Sequence, residues 1–190
     1  MLELSALPAA HASILALLRD GMLAAVVLAA MAFDLKSFRI PNRLTYPAAL
    51  VGLLLSAGVG QGLSGLAGLG LGFALLLPLW LLRVLGAGDV KLMAAVGAFL
   101  GFPEIVGAVL MSFIAGGVLA VGYALWLRQS GQMLRNVQQA VVANVFAIAS
   151  GHRPSVAGMP SIGKLPYGIG ICVGTLAWLA YRHLAEGKLF

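Results

Sequence analysis

The sequence predicts an all-α protein that crosses a membrane several times. Hydrophobic residues make up 61% of the 190 residues and charged residues only 9%, with a mean hydropathy of +1.01. Soluble domains are about half apolar and roughly a quarter charged, so this chain has too few charges to cover a water-facing surface. Its apolar residues form continuous runs, which are typical of membrane helices and not of the alternating strands of a membrane barrel.

Six apolar segments are predicted as transmembrane helices, because crossing a bilayer takes about 20 apolar residues. The fourth segment has only 13 residues, or about 20 Å of helix, so we predict a short helix that does not reach across the full hydrocarbon. A single membrane-embedded domain is expected over residues 1–190. The segments are 14–33, 44–60, 63–82, 90–102, 105–127 and 165–181.

The basic residues predict the orientation of these segments. Nine of the twelve Lys and Arg residues fall in the connections after the first, third and fifth segments or, for Lys91, at the start of the segment that follows. Cytoplasmic loops carry an excess of Lys and Arg, so these connections should be cytoplasmic and both termini should lie on the opposite side of the membrane. The positive charges form no basic patch with aromatic residues, which argues against nucleic acid as a partner.

The connection over residues 128–164 is the longest polar stretch. Apolar residues recur within it at helical spacing, so we predict an amphipathic helix at the cytoplasmic membrane interface. It could be a lid or docking surface for a substrate, or a plain connector, and the sequence leaves both open. The recurring residues are Leu134, Val137, Val141, Val145 and Ile148.

Two of the six acidic residues, Asp34 and Asp89, fall on the predicted cytoplasmic side. Asp34 ends the first segment and Asp89 precedes the fourth. Ionisable groups at membrane depth are costly and are therefore candidates for function, although a plain ion pair with Lys36 or Lys91 is an alternative.

The residues before the fourth segment favour a functional role for Asp89. Gly86 and Gly88 allow the chain to approach this short helix in a non-helical conformation. Irregular backbone at membrane depth is tolerated where it is buried in protein or lines a wet cavity. We therefore expect Asp89 beside water at a helix N-terminus, where the helix dipole stabilises a carboxylate.

Two carboxylates in one wet pocket indicate peptide hydrolysis by an aspartic dyad. Within hydrogen-bond range the two groups share one proton, since both cannot comfortably ionise. The ionised carboxylate can take a proton from water, and the protonated one can donate to a carbonyl oxygen. The titration belongs to the pair, so the sequence assigns neither role to one residue. No metal or other cofactor is expected, and the single cysteine, Cys172, excludes a cysteine-based zinc site.

Three motifs together resemble those of bacterial prepilin peptidases. The GxGD signature of intramembrane-type aspartic proteases is matched by Gly86-Ala87-Gly88-Asp89. The first-aspartate motif of prepilin peptidases is similar to the stretch from Asp34 to Asn42, with its basic residues and its Ile-Pro-Asn ending. The family's Pro-Tyr-Gly element is similar to Pro166-Tyr167-Gly168. The motifs follow the family's order, and the resemblance covers essentially the whole chain.

The resemblance implies a type IV prepilin peptidase, which cuts the basic leader from pilin-like precursors at the cytoplasmic face of the bacterial inner membrane. It implies Asp34 and Asp89 as the catalytic pair. Larger members carry an N-terminal cytoplasmic region, often with paired Cys-x-x-Cys, and also methylate the new N-terminus. This chain resembles the short, protease-only form of Flp/Tad pilus systems, so N-methylation is not expected. Residues implied to shape the site are Gly86, Gly88, Lys91, Ile40, Pro41, Asn42, Pro166, Tyr167 and Gly168.

Parts of the sequence would also fit two other functions. Gly62-Leu63-Ser64-Gly65 fits the GxSG motif of rhomboid serine proteases, but a serine nucleophile needs a histidine base, and His183 looks like part of a solvated helix end. A non-enzymatic transporter, channel or assembly subunit would use Asp34 and Asp89 as ion or proton sites. Such a pair should line a path to the bilayer midplane, whereas both aspartates are expected near one face.

The remaining motif residues are assigned simpler roles. Lys91 is expected to anchor its helix at the membrane surface. Pro41 and Asn42 should shape the turn between the first two segments. Partners are therefore a pilin-like precursor and the lipid bilayer, and the oligomeric state is left open. A series of glycines is expected to let helices approach closely: Gly62, Gly65, Gly68, Gly70 and Gly72.

Overall fold

A computed structural model describes residues 6–82, 84–126 and 167–185 of the chain, and these ranges are helical with short connections. Their helices fall on the six predicted apolar segments. The predicted interfacial helix within 128–164 lies outside the described residues, as does Pro166. The helices are α1 (Ala6–Ser37), α2 (Asn42–Gly58), α3 (Gly62–Leu81), α4 (Ala87–Leu100), α5 (Glu104–Trp126) and α6 (Tyr167–Ala185).

Three of these helices are long and apolar enough to cross a membrane. The segments that meet both conditions are Ile14–Ser37, Gly62–Leu81 and Glu104–Tyr123. The α2 helix has 17 residues, which is the lower limit for a crossing, and α4 has 14, which is fewer than a crossing needs. The all-helical membrane class is therefore confirmed, and the six-span topology stays a prediction.

The short α4 helix forms the centre of the bundle. Every residue from Leu92 to Leu100 is buried, and Phe99 is fully enclosed. A helix that is apolar all round belongs in a core. The helix is short because it lies inside the bundle, packed between α2 and α3, and need not meet the lipid over its whole length.

Glycines bring α3 against α4, as the sequence predicts. A Cβ atom on Gly68 would lie 2.7 Å from the Cα atom of Gly101, and one on Gly65 would lie 3.1 Å from the carbonyl oxygen of Ala98. A Cβ atom on Gly72 would meet the backbone of Met93. Gly70 faces open space and Gly62 lies against Ala57 of α2, so these two members of the series do not take part in the contact with α4. Because backbone meets backbone along this seam, α4 has a fixed place in the bundle.

The bundle has two distinct ends. The C-terminal end of α1 and the N-terminal ends of α2, α4 and α6 meet at one of them, which we call the aspartate end because it holds Asp34 and Asp89. The N-terminal ends of α3 and α5 meet at the far end. There the Ser64 hydroxyl donates to the carbonyl oxygen of Phe102 at 2.7 Å.

Candidate active site

Asp34 lies one turn before the end of α1 and is buried, with 6% of its surface exposed. The sequence predicts it at the helix end, but α1 continues to Ser37. Phe38 then takes a φ of +51°, and its N–H donates to the carbonyl oxygen of Asp34 at 2.8 Å. A left-handed residue is a common helix terminator, and Pro41 follows where the helix can no longer continue. These local features set Asp34 in the last turn of a long helix.

The backbone of α6 approaches the Asp34 carboxylate directly. The N–H of Gly168 donates to Asp34 Oδ2 at 2.7 Å. A Cβ atom on Gly168 would come within 2.8 Å of the same oxygen and 3.0 Å of the Asp34 Cβ atom. Only glycine leaves room for this contact. The structure therefore gives Gly168, which the Pro-Tyr-Gly resemblance singles out, a direct contact with Asp34.

Asp89 occupies the first turn of α4 and is also buried, with 8% exposed. The N–H of Gly86, the residue before the helix, donates to Asp89 Oδ2 at 3.0 Å. Asp89 thus satisfies a free N–H at a helix start, where the helix dipole also favours a negative charge. The predicted non-helical approach holds for Gly86 but is wrong for Gly88, which is already helical.

Gly88 instead brings the first turn of α4 against Ile40. A Cβ atom on Gly88 would lie 3.1 Å from the Ile40 Cβ atom. Ile40 itself is buried, just after α1 ends. The first-aspartate motif and the GxGD motif are therefore in contact through their own residues, which the sequence alone does not show.

The two carboxylates lie near enough to act on each other. Asp89 is outside the three segments that can cross a membrane. Burial and, second, the charge of Asp34 raise the pKa of Asp89 to about 6, and the hydrogen bond from Gly86 opposes this. A raised pKa with a carboxylate neighbour is the pattern of two acids that hold a proton between them.

Tyr167 completes this end of the bundle from α6. It is half-buried, and its hydroxyl group lies within electrostatic range of Asp89. Its ring packs on Gly116 of α5, where a Cβ atom would lie 2.7 Å from Tyr167 Cε2. Sequence reasoning missed Gly116, because a glycine in an apolar helix reveals its partner only when the helix pairing is known.

Lys91, Pro41 and Asn42 join α4 to the start of α2. The Pro41 carbonyl oxygen accepts from the N–H of Leu44 at 2.9 Å, so Pro41 shapes the first turn of α2. Lys91 Nζ donates to Asn42 Oδ1 at 2.9 Å and lies 5.1 Å from the centre of the Tyr46 ring. The attraction between an ammonium group and an aromatic ring helps to hold the Lys91 side chain in this position. The structure thus gives Lys91 a partner on α2, and its role as a surface anchor stays a prediction.

The serine-protease alternative finds no support in the described part of the chain. Ser64 lies at the far end and donates its hydroxyl hydrogen to a backbone carbonyl. His183 Nε2 lies 3.1 Å from Asp20 Oδ2, so the prediction that His183 belongs to a solvated helix end is wrong. Within residues 6–82, 84–126 and 167–185, no three His, Cys, Asp or Glu side chains are grouped as a metal site.

These helices and this site define a membrane protein with two buried aspartates at one end of a helical bundle. The model of the type IV leader peptidase family matches residues 21–121, more than half of the chain, and the match includes both aspartates. The chain therefore belongs to the type IV leader peptidase family, which confirms the resemblance. Membership implies a protease whose substrate is a pilin precursor. No curated protein and no solved structure matches the chain.

Proposed function

We propose that this chain is a membrane aspartic endopeptidase that removes the leader peptide of Flp-like type IV prepilins. Asp34 and Asp89 are its catalytic pair, within a single domain over residues 1–190. One observation carries the proposal: two buried carboxylates reach the same end of the bundle from different helices, α1 and α4. Burying two acids together costs stability, and functional sites are where such costs are found.

The proposed reaction needs one proton shared between Asp34 and Asp89. The ionised carboxylate takes a proton from a water molecule, which attacks the carbonyl carbon of the scissile peptide. The protonated carboxyl group donates its proton to the carbonyl oxygen, so that no free oxyanion forms. Breakdown of the tetrahedral intermediate then passes the proton gained from water to the leaving amine. A hydroxyl group of the intermediate returns a proton to the other carboxylate, so that the pair again holds one proton. The N–H groups of Gly168 and Gly86 hold one oxygen of each carboxylate during these steps.

We also propose that the aspartate end faces the cytoplasm. The excess of Lys and Arg in the connections on this side supports that orientation. A precursor with a basic leader and an apolar helix would then present its junction at the level of the two aspartates. The resemblance to the short, protease-only form supports an Flp-like substrate and cleavage without N-methylation.

Co-expression with an Flp-like precursor tests this function. We expect one cut at the junction of leader and apolar helix, and a product with an unmodified N-terminus. Mass spectrometry of the intact product reads the position of the cut and any methyl group in the same measurement. An uncut precursor would contradict the peptidase function, and a methylated product would contradict a protease-only enzyme.

The activity should fall as the pH rises through about 6, the pKa of Asp89. Below that pH Asp89 holds its proton and above it the proton is lost, so a dyad that needs one proton loses its acid. The measurement is kcat/KM for a precursor peptide with purified enzyme in liposomes, and circular dichroism at each pH controls for unfolding. A profile that stays flat between about pH 5 and pH 8 would contradict the shared proton.

A further inference from the structure

A buried charged cluster lies at the far end of the bundle, where the middle of α1 meets the last turn of α6. Asp20 Oδ2 accepts a hydrogen bond from Arg182 Nη2 and lies 3.1 Å from His183 Nε2. Arg19 Nη1 donates to Gln61 Oε1 at 2.9 Å, which ties the connection between α2 and α3 to the same place. Arg19 is 6% and Asp20 7% exposed. Neither the dyad nor the family motifs use these residues.

The cluster and the Asp34 contact are spaced identically along both helices. Asp20 precedes Asp34 by 14 residues, and Gly168 precedes Arg182 by 14. Fourteen residues rise about 21 Å and turn to within about 40° of the same face of a helix. The antiparallel helices α1 and α6 are therefore joined at two points on one face, by Asp34 with Gly168 and by Asp20 with Arg182.

Stability alone does not explain the cluster, because some of its buried charged atoms lack hydrogen bonds. Arg19 Nε and Asp20 Oδ1 lie 3.7 Å apart, which allows an ion pair but is too long for a hydrogen bond, and neither buried atom has a hydrogen-bond partner in the described part of the chain. A buried ionic network with unsatisfied atoms is less stabilising than apolar packing of the same size. The best-supported benefit of such networks is that they select one alignment of two helices over its neighbours.

The alignment of α6 decides whether Asp34 receives its hydrogen bond. The donor is a backbone N–H, so it moves with the whole helix and no side-chain rotation can replace it. The N–H groups of a helix point along its axis, so a slide of one residue away from Asp34 lengthens the 2.7 Å hydrogen bond of Gly168 by about 1.5 Å, to about 4.2 Å, which is too long for a hydrogen bond. The α6 helix also meets α5 through small residues, because Gly170 and Gly174 face the backbones of Gly116 and Ser112.

We propose that Asp20, Arg182 and His183 form a positioning clamp for the peptidase site. The clamp fixes the axial alignment of α6 on α1 and so holds the Gly168 N–H on the Asp34 carboxylate, about 21 Å away. These three are positioning residues, since they act on the reaction through Gly168 alone. The inference rests on the proposed function of Asp34.

The test compares Asp20→Asn with the unaltered chain in liposomes. We expect kcat to fall between about 10-fold and 100-fold with KM within about twofold, because a small misplacement far from the chemistry is enough to cost this much. Hydrogen exchange should become at least about 10-fold faster at the amides of residues 167–170 and stay unchanged in α3 and α4. An unchanged kcat would overturn the clamp. Exchange that rises across the whole bundle would also overturn it and would make the cluster a stabilising feature only.

A second pair of variants keeps the test decisive if Asp20→Asn does not fold. Arg182→Lys keeps the positive charge, whereas Arg182→Met keeps an unbranched, somewhat shorter side chain and loses the charge. We expect Arg182→Lys to retain at least about 10-fold more kcat than Arg182→Met, since the charge makes the contact with Asp20. Equal activity of the two variants would overturn the clamp. Hydrogen exchange needs no substrate, so it tests the clamp even if the chain cuts no precursor. A failure of the clamp can therefore be distinguished from a failure of the proposed peptidase function.

Discussion

Replacing either Asp34 or Asp89 by asparagine should abolish precursor cleavage and leave the helical bundle folded. Asparagine has the size of aspartate, and its carbonyl oxygen can still accept the N–H of Gly168 or Gly86. Its side chain cannot ionise, so it can neither take a proton from water nor return one. We expect a loss of at least about 10³-fold, or roughly 4 kcal/mol of barrier. The rate of precursor cleavage by purified enzyme is the measurement.

Lys36→Gln is the matched control for these variants. Lys36 is exposed in the last turn of α1, two residues after Asp34, so this change alters the local charge without touching the buried pair. It should cleave the precursor at close to the native rate. Melting temperatures should stay similar in all three variants, or rise for the asparagines, because a buried charge is removed. Full activity of either asparagine variant would refute the dyad.

Changing Gly168 to alanine should produce the second largest loss. The new Cβ atom would lie 2.8 Å from Asp34 Oδ2 and 3.0 Å from the Asp34 Cβ atom, so either the carboxylate or the start of α6 must move. Both movements take the N–H of Gly168 away from its acceptor. We expect kcat to fall about 100-fold, the cost of a displacement of about 1 Å at the reacting groups.

Gly117→Ala provides the comparison for this loss. Gly117 lies in α5, and nothing is within 4 Å of its would-be Cβ atom. Alanine there should keep native activity and stabilise the helix by up to about 1 kcal/mol, since glycine is a poor helix former. Native activity of a folded Gly168→Ala enzyme would show that Asp34 does not depend on this close approach.

The sequence was sufficient for the helices and for the two acids, because both follow from local signals. Apolar runs identify membrane-type helices one by one, and Asp34 and Asp89 are the two acids that lie beside recognisable motifs on the basic side. Helix ends were less exact: α1 runs past Asp34 until the left-handed Phe38 ends it, and Gly88 is already helical where it packs on Ile40.

The parts that could not be predicted all depend on which helices pair. The contact of Lys91 with Asn42 and Tyr46 joins residues almost 50 positions apart. The contact of Asp20 with Arg182 and His183 spans most of the chain, and single charges near helix ends look like solvated residues until their partners are known. A sequence pattern predicts which face of a helix is buried, but it does not predict which other helix packs against that face.

The enclosure of α4 has a consequence for how the protein is made. Its residues from Leu92 to Leu100 are buried among other helices. Contact with lipid alone should therefore favour the membrane insertion of this segment only weakly. We expect α4 to enter the bilayer together with α3, as the second helix of a hairpin, because the glycines of α3 allow the two helices to pack closely. Assembly of the site would then wait on that hairpin, because Asp89 can lie opposite Asp34 only after α4 has entered the bilayer.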